Sequence, residues 1–97
     1  MELREDAPCA VAACLLYFQE RYIGHWTRKI TQPKAVIAYL QTQGFELTVT
    51  QYELPNRKDW YYELHAADQL VQHARNFTSH REAAAEAIRI AFLKLEQ

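Results

Sequence analysis

Residues 45–50 have the sequence FELTVT, in which apolar and polar side chains alternate at every position. Because successive side chains of a β-strand point to opposite faces, Phe45, Leu47 and Val49 would share one face of an extended chain. The alternation begins directly after Gly44, and glycine commonly ends helices. The segment therefore predicts a half-buried β-strand, around which the rest of the fold is built.

A second strand is predicted over residues 60–65, WYYELH, after a polar turn over residues 54–59. The same alternation places Trp60, Tyr62 and Leu64 on one face. The other face of the sheet is predicted to be wet, because most of its side chains are polar or charged. Its members are Thr48, Thr50, Tyr52, Tyr61, Glu63, His65, His73 and Arg75.

The stretch over residues 66–77 fits two structures. It is either a turn into a third strand over residues 70–77 or the start of a helix that runs to Arg75. We favour the strand, because the second strand needs a partner and the short gap after it suits an antiparallel hairpin.

Helices are predicted on both sides of these strands. One begins near Pro33, with Thr31 as its cap. The last covers residues 80–95 and begins at a capping box formed by Ser79 and Glu82. Its apolar stripe consists of Ala84, Ala87, Ile88, Ala91, Phe92 and Leu95.

An additional N-terminal helix is predicted from Cys9 to Arg21, with Asp6 as its cap and Gly24 as its end. This helix is apolar nearly all round, so it needs cover on more than one side. It either covers the second face of the sheet or packs against a second copy of the chain. The candidate dimer interface consists of Val11, Leu15 and Phe18.

The predicted fold class is α+β: an αβββα unit with a three-stranded antiparallel sheet and an additional N-terminal helix. Residues 1–97 are expected to form a single domain. Within it, residues 1–31 provide the N-terminal helix and a basic connector, and residues 32–97 provide the αβββα core.

Composition excludes several classes of function. Eleven Lys and Arg against twelve Asp and Glu give a formal net charge of −1, so no field of the whole protein attracts nucleic acid or acidic membranes. With only two glycines the chain cannot form a glycine-rich phosphate loop. Its one serine leaves little room for serine-based catalysis.

The cysteines and the apolar N-terminal run indicate the compartment. Cys9 and Cys14 would lie about 7.5 Å apart along a helix, beyond the reach of a disulfide. Reduced cysteines favour the cytosol. The run over residues 9–18 follows an acidic start and is too short to cross a bilayer. We therefore expect a cytoplasmic protein without a targeting or transmembrane segment.

No constellation for catalysis or metal binding stands out. The four histidines are scattered, and no nucleophile, base and orienting group are found together. A metal site made by Glu63, His65 and His73 is conceivable, but exposure on a wet sheet face is the favoured interpretation. The protein is expected not to be an enzyme and to need no cofactor or metal.

Two resemblances follow from the order of elements. Gln32-Pro33-Lys34-Ala35, Asp59-Trp60-Tyr61-Tyr62 and the helix entry over residues 77–83 resemble small αβββα "ABA-sandwich" proteins of phages and bacterial mobile elements. That family implies no activity and no catalytic residues. The same order is similar to that of double-stranded RNA-binding domains, in which the first helix, the loop between the first two strands and the start of the last helix meet RNA.

The second resemblance assigns candidate contacts with RNA. Residues 79–84, SHREAA, resemble the S-K-K-E-A-K entry of those domains, although His80 and Ala84 replace lysines. Basic residues suited to an anionic partner also occur in the connector and in the predicted first turn of the sheet. The candidate nucleic-acid or anionic contacts are Arg28, Lys29, Arg57, Lys58, His80 and Arg81.

The sequence thus leads to two functional hypotheses. The favoured one is a non-enzymatic interaction module of phage or mobile-element origin that binds a protein partner or itself as a homodimer, without membrane contact. The alternative is a nucleic-acid-binding module similar to double-stranded RNA-binding domains.

Overall fold

The computed structural model describes residues 7–21 and 32–96 and shows an α+β protein, as predicted. The predicted cap and end of the first helix, Asp6 and Gly24, and the predicted cap of the second, Thr31, lie outside the described residues. In chain order the elements are α1 (Pro8–Arg21), α2 (Pro33–Thr42), β1 (Phe45–Leu54), β2 (Arg57–Ala66), β3 (Gln69–Phe77) and α3 (His80–Glu96). The strands form one antiparallel sheet in the order β1-β2-β3.

The first hairpin is longer than the sequence predicts. Pairing of β1 with β2 runs without a break from Phe45 opposite Ala66 to Leu54 opposite Arg57, so only Pro55 and Asn56 form the turn. The predicted polar turn over residues 54–59 is therefore wrong in its bounds. Exposed polar side chains such as those of Asn56, Arg57 and Lys58 are compatible with a strand at a hairpin tip, because they project from it into water.

The second hairpin confirms the third strand and excludes the helical alternative. Its turn consists of Ala67 and Asp68, whose φ angles of 53° and 63° are those of the left-handed turn that matches the twist of two antiparallel strands. The pairing of β3 with β2 is irregular at two points, between Trp60 and Tyr62 and between Leu64 and His65. Asn76, within the first irregularity, has a φ of 75°.

Helices α2 and α3 pack on the same face of the sheet, as the single core cluster shows. From the sheet the core takes Phe45, Tyr62 and Leu64, with Leu47 and Val49 partly buried against it. This confirms the predicted alternation in β1. The buried side of α3 consists of Ala83, Ala84, Ala87, Ile88, Ala91 and Phe92, which agrees with the predicted stripe except that Leu95 is only partly buried.

The position of α1 differs from the predicted cover of the sheet's second face, while packing against a second copy stays a prediction. It contacts α2 and α3 and, among the described elements, no strand, so it lies on the helical side of the domain. Its buried residues are Ala10, Val11, Cys14 and Phe18. Three of these side chains are short and let α1 approach the other helices closely, while the Phe18 ring reaches Tyr39 at 6.3 Å between centroids.

The last residue of α3 fixes the start of α1. The backbone N–H groups of Cys9 and Ala10 donate hydrogen bonds to the two carboxylate oxygens of Glu96, at 3.1 and 2.8 Å. These bonds satisfy first-turn donors of α1, which have no partner within the helix. They lower the pKa of Glu96, the bond from Ala10 contributing most.

The open face of the sheet carries the side chains predicted to be wet. No described helix packs against it, since α1 contacts only helices and the other two share the opposite face. Thr48, Thr50, His73 and Arg75 are exposed, while the other four are partly buried. Among the helices of the described residues, none is both long enough and apolar enough to cross a membrane.

Candidate functional site

The topology brings three segments to one end of the molecule. β1 and β3 are both antiparallel to β2, so they run in the same direction. α2 leads into β1 and α3 follows β3 through short connections, and both helices pack back on the sheet. The two helices are therefore parallel, and their N-termini lie at the end where β1 turns into β2.

A cleft of about 540 Å³ separates the two N-termini. It is lined by Gln32, Pro33 and Lys34 from the start of α2 and by His80 and Arg81 from the start of α3. The side chains of these residues are exposed. Within the described ranges, neither Lys34 nor Arg81 has an ion-pair partner. The cleft is therefore cationic and accessible to an anion.

The two helix starts are capped differently. At α3 the Glu82 N–H donates to the Ser79 hydroxyl at 3.1 Å, which confirms Ser79 as the cap, but the Glu82 carboxylate does not accept from the Ser79 N–H as it would in a complete capping box. The Glu82 carboxylate accepts bonds from the N–H and hydroxyl of Thr78 at 3.2 and 2.6 Å. At α2 the N-cap residue Gln32 makes no side-chain capping bond. First-turn N–H groups of α2 thus receive no capping bond from the Gln32 side chain, and the helix start adds positive partial charge to the cleft.

His80 is held in place by an aromatic contact. Its ring meets the Trp60 ring edge to face at 5.4 Å between centroids. Trp60 is only partly buried, and it pairs with Phe77 at the point where β3 ends. Trp60 thus links the central strand to the start of α3 and orients the imidazole at the cleft.

The tip of the first hairpin carries two more cations beyond the end of β3. Arg57 lies 3.1 Å from the carboxylate of Asp59, whose side chain is 4% exposed. Lys58 lies 4.0 Å from Glu53, and both of these side chains are largely exposed. Arg57 is therefore partly neutralised by a buried partner, whereas Lys58 keeps most of its charge available to an anion.

The structure groups four of the six predicted contact residues at this end. Arg57 and Lys58 occupy the hairpin tip, and His80 and Arg81 line the cleft. Arg28 and Lys29 lie outside the described residues. Lys34 is not among the six predicted contacts, although its place after Pro33, in the first turn of a predicted helix, is a usable signal. We call Lys34, Arg57, Lys58, His80 and Arg81 the cationic end.

The candidate dimer residues pack within the chain's own helical layer, and their role in a dimer stays a prediction. Val11 and Phe18 are 3% and 0% exposed within the chain's own core, and Leu15 is partly buried against it. Their side chains are thus occupied by α2 and α3. The large apolar residue of α1 that is exposed to solvent is Leu16, at 57% exposure.

The open face brings together the histidines and the acids considered for a metal site. Glu63 pairs with His73 across β2 and β3, and Glu46 pairs with His65 across β1 and β2. Within residues 7–21 and 32–96, however, no group of three His, Cys, Asp or Glu side chains could hold a metal ion. A second cleft, of about 570 Å³, lies at the far end of the sheet beside Glu46, His65 and Asp68. Two carboxylates make it unlike the cationic end.

Comparison with known proteins adds no family to this description. No protein-family model matches the chain, and no curated protein is significantly similar to it in sequence.

Proposed function

We propose that this chain is a nucleic-acid-binding module that holds the phosphate backbone of double-stranded RNA with its cationic end. One observation carries the proposal. The parallel packing of α2 and α3 puts both helix N-termini and the first hairpin at the same end, with a cationic residue or histidine on each. Double-stranded RNA-binding domains, which the order of elements resembles, meet RNA with the corresponding three segments.

The charges make binding weak and dependent on salt. Lys34, Lys58 and Arg81 are the cations with the most accessible charge, whereas Arg57 is paired with Asp59. Each phosphate neutralised on a duplex contributes about 0.9 to the slope of log affinity against log salt, so three contacts predict a slope of about −3. The net charge of −1 adds no general attraction, and so binding depends on this end of the molecule.

A titration with matched charge changes tests the proposal. Binding is measured by fluorescence anisotropy with a labelled RNA duplex of about 20 base pairs, a length that a single RNA-binding domain of this kind can cover. Lys34→Glu/Arg81→Glu should weaken binding about tenfold or more at low salt. Arg21→Glu/Arg75→Glu changes the net charge equally at exposed positions outside the cationic end, and should leave affinity within about twofold.

Two results would reject RNA binding at this site. One is no change in anisotropy for the wild type at low salt and high micromolar protein. The other is an equal loss of affinity in both double variants, which would indicate an effect of total charge.

The second candidate is an interaction module for protein partners, the function that the sequence favours. It is supported by the open face, where no described helix covers the sheet and the Tyr52 and Tyr61 rings lie 5.8 Å apart. Tyrosine side chains are enriched at protein interfaces. This candidate is preferred if the RNA titration fails. The non-enzymatic role, the phage or mobile-element origin and the cytoplasmic location stay predictions.

A further inference from the structure

The two edges of the sheet differ in their ability to accept another strand. β1 is ten residues long, and its pairing with β2 has no irregularity. Its sequence, FELTVTQYEL, contains neither proline nor lysine. β3, the other edge, is interrupted by two irregularities, and Asn76 there has a φ of 75°. Bulges, lysine and proline are three of the features that protect an edge from pairing, and β1 has none of these three, although it carries two charged side chains, Glu46 and Glu53.

The outer side of β1 offers backbone groups that no described strand pairs with. Alternate residues of an antiparallel strand direct their N–H and C=O groups to the same side, so about five of the ten residues of β1 point away from β2. Among the described residues, no strand pairs with that side. Leu47 and Val49 are only partly buried, so apolar surface of the core face continues to this edge.

We propose that a second copy of this chain pairs with β1 in antiparallel fashion across a two-fold axis at Val49. In this register Val49 lies opposite Val49 of the second copy, and Thr48 lies opposite Thr50 of the second copy. Every pair joins residues of the same face, so the two sheets form one six-stranded sheet with all helices on one side. The proposal uses the edge of β1 and does not rest on the function proposed for the cationic end.

The charges of β1 are compatible with this register. Its two charged residues, Glu46 and Glu53, lie opposite Tyr52 and Phe45 of the second copy, so no carboxylates oppose each other. Like charges directly opposite each other destabilise strand pairing. A partner strand with acidic residues opposite Glu46 or Glu53 would create such pairs. A second copy in this register avoids that cost and covers Leu47 and Val49 of both chains.

The expected contact is small. Nine paired residues span about 30 Å. An interface of that length, formed by the two β1 strands and the adjoining α2 helices, buries on the order of 1,000 Å² in total. Interfaces of this size are typical of weak, reversible complexes. We therefore expect a monomer–dimer equilibrium whose position depends on protein concentration.

The experiment is sedimentation velocity from low to several hundred micromolar protein. The wild type should move from the monomer mass of 11.4 kDa to twice that mass as concentration rises. Thr48→Lys/Thr50→Lys places two pairs of lysines opposite each other at the junction and should weaken the dimer about tenfold. Both positions are exposed, and Thr48 faces Glu63 within the chain, so the fold should persist with an unchanged circular dichroism spectrum.

Two further variants test the register and the choice of edge. Thr48→Lys/Thr50→Glu places lysine opposite glutamate in both pairs and should keep or strengthen the dimer. Gln69→Lys/His73→Lys adds the same charge to β3 and should dimerise like the wild type. A wild type that stays monomeric overturns the proposal, as does a dimer that the two lysines in β1 do not weaken.

Discussion

The two faces of the sheet are made by the same strands, yet they differ in how firmly their side chains are fixed. On the helical face Tyr62 and Leu64 are 1% and 0% exposed, enclosed by α2 and α3. On the open face their neighbours Glu63 and His65 remain partly exposed and have no described helix above them. The difference shows that stability is concentrated on one side of each strand, while the other side is available to change or to bind.

The largest expected difference in stability between the two faces is at Leu64. Leu64→Ala removes a fully buried side chain and leaves a cavity under α3, so the free energy of unfolding should fall by about 2–5 kcal/mol. His65→Ala, at the adjacent position of the open face, should change it by about 0.5 kcal/mol or less. Urea denaturation followed by circular dichroism measures both. Equal losses would mean that the open face contributes to the core.

A smaller effect is expected at the turn that joins β2 to β3. Ala67 and Asp68 have left-handed φ angles. This conformation is strained for alanine, whereas asparagine and glycine adopt it readily. Ala67→Asn/Asp68→Gly should therefore raise the free energy of unfolding by about 1 kcal/mol without altering either face. The control is Asn56→Gly in the first hairpin, where no positive φ occurs and no gain is expected. Thermal unfolding of the two variants compares them.

The smallest effect concerns the contact that attaches α1 to the helical side. Hydrogen bonds from Ala10 and Cys9 hold the pKa of Glu96 below its usual range. Because the folded-state pKa is the lower one, the stabilisation is present at neutral pH and is lost as the pH falls through that pKa. Glu96→Gln should lower the melting temperature slightly at neutral pH and match the wild type in strong acid. Glu20→Gln, at an exposed position of α1, should behave like the wild type at both pH values.

The rate at which a reagent labels the Cys14 thiol also tests whether Glu96 holds α1 in place. Burial raises the pKa of Cys14 to about 12, so this thiol is protected while α1 is packed on α2 and α3. In a Cys9→Ser background, Glu96→Gln should increase the rate of Cys14 labelling at neutral pH. An unchanged rate would show that the Glu96 contact does not control the opening of α1.

Local sequence patterns predicted the strands and the last helix, because the interactions that form these elements involve residues a few positions apart. The alternation over residues 45–50 fixes which side chains of β1 face the core, and Ser79 and Glu82 fix where α3 starts. The turn over residues 54–59 was placed too broadly, because polarity alone does not separate an exposed hairpin tip from a loop. Its true bounds depend on continued pairing between the two strands.

The candidate site was predicted in part. Arg57, Lys58, His80 and Arg81 were identified from composition and from a resemblance, but their grouping at one end required the parallel arrangement of α2 and α3. The same arrangement adds Lys34, whose place in the first turn of α2 follows from Pro33. Arg57 and Asp59 are two residues apart and share one face of β2, but the burial of Asp59 could not be anticipated from a polar stretch.

By itself the sequence determined the α+β class, the order of elements and the face of each strand that becomes core, because hydrophobic period and capping act locally. Tertiary structure alone decided where α1 packs, since an apolar helix is satisfied by any apolar surface of suitable shape. The contact between Glu96 and the first turn of α1 joins residues 86 and 87 positions apart, a separation at which no local pattern carries information. The cationic end has the same origin, because charges distant in sequence become one site only when the helices are parallel.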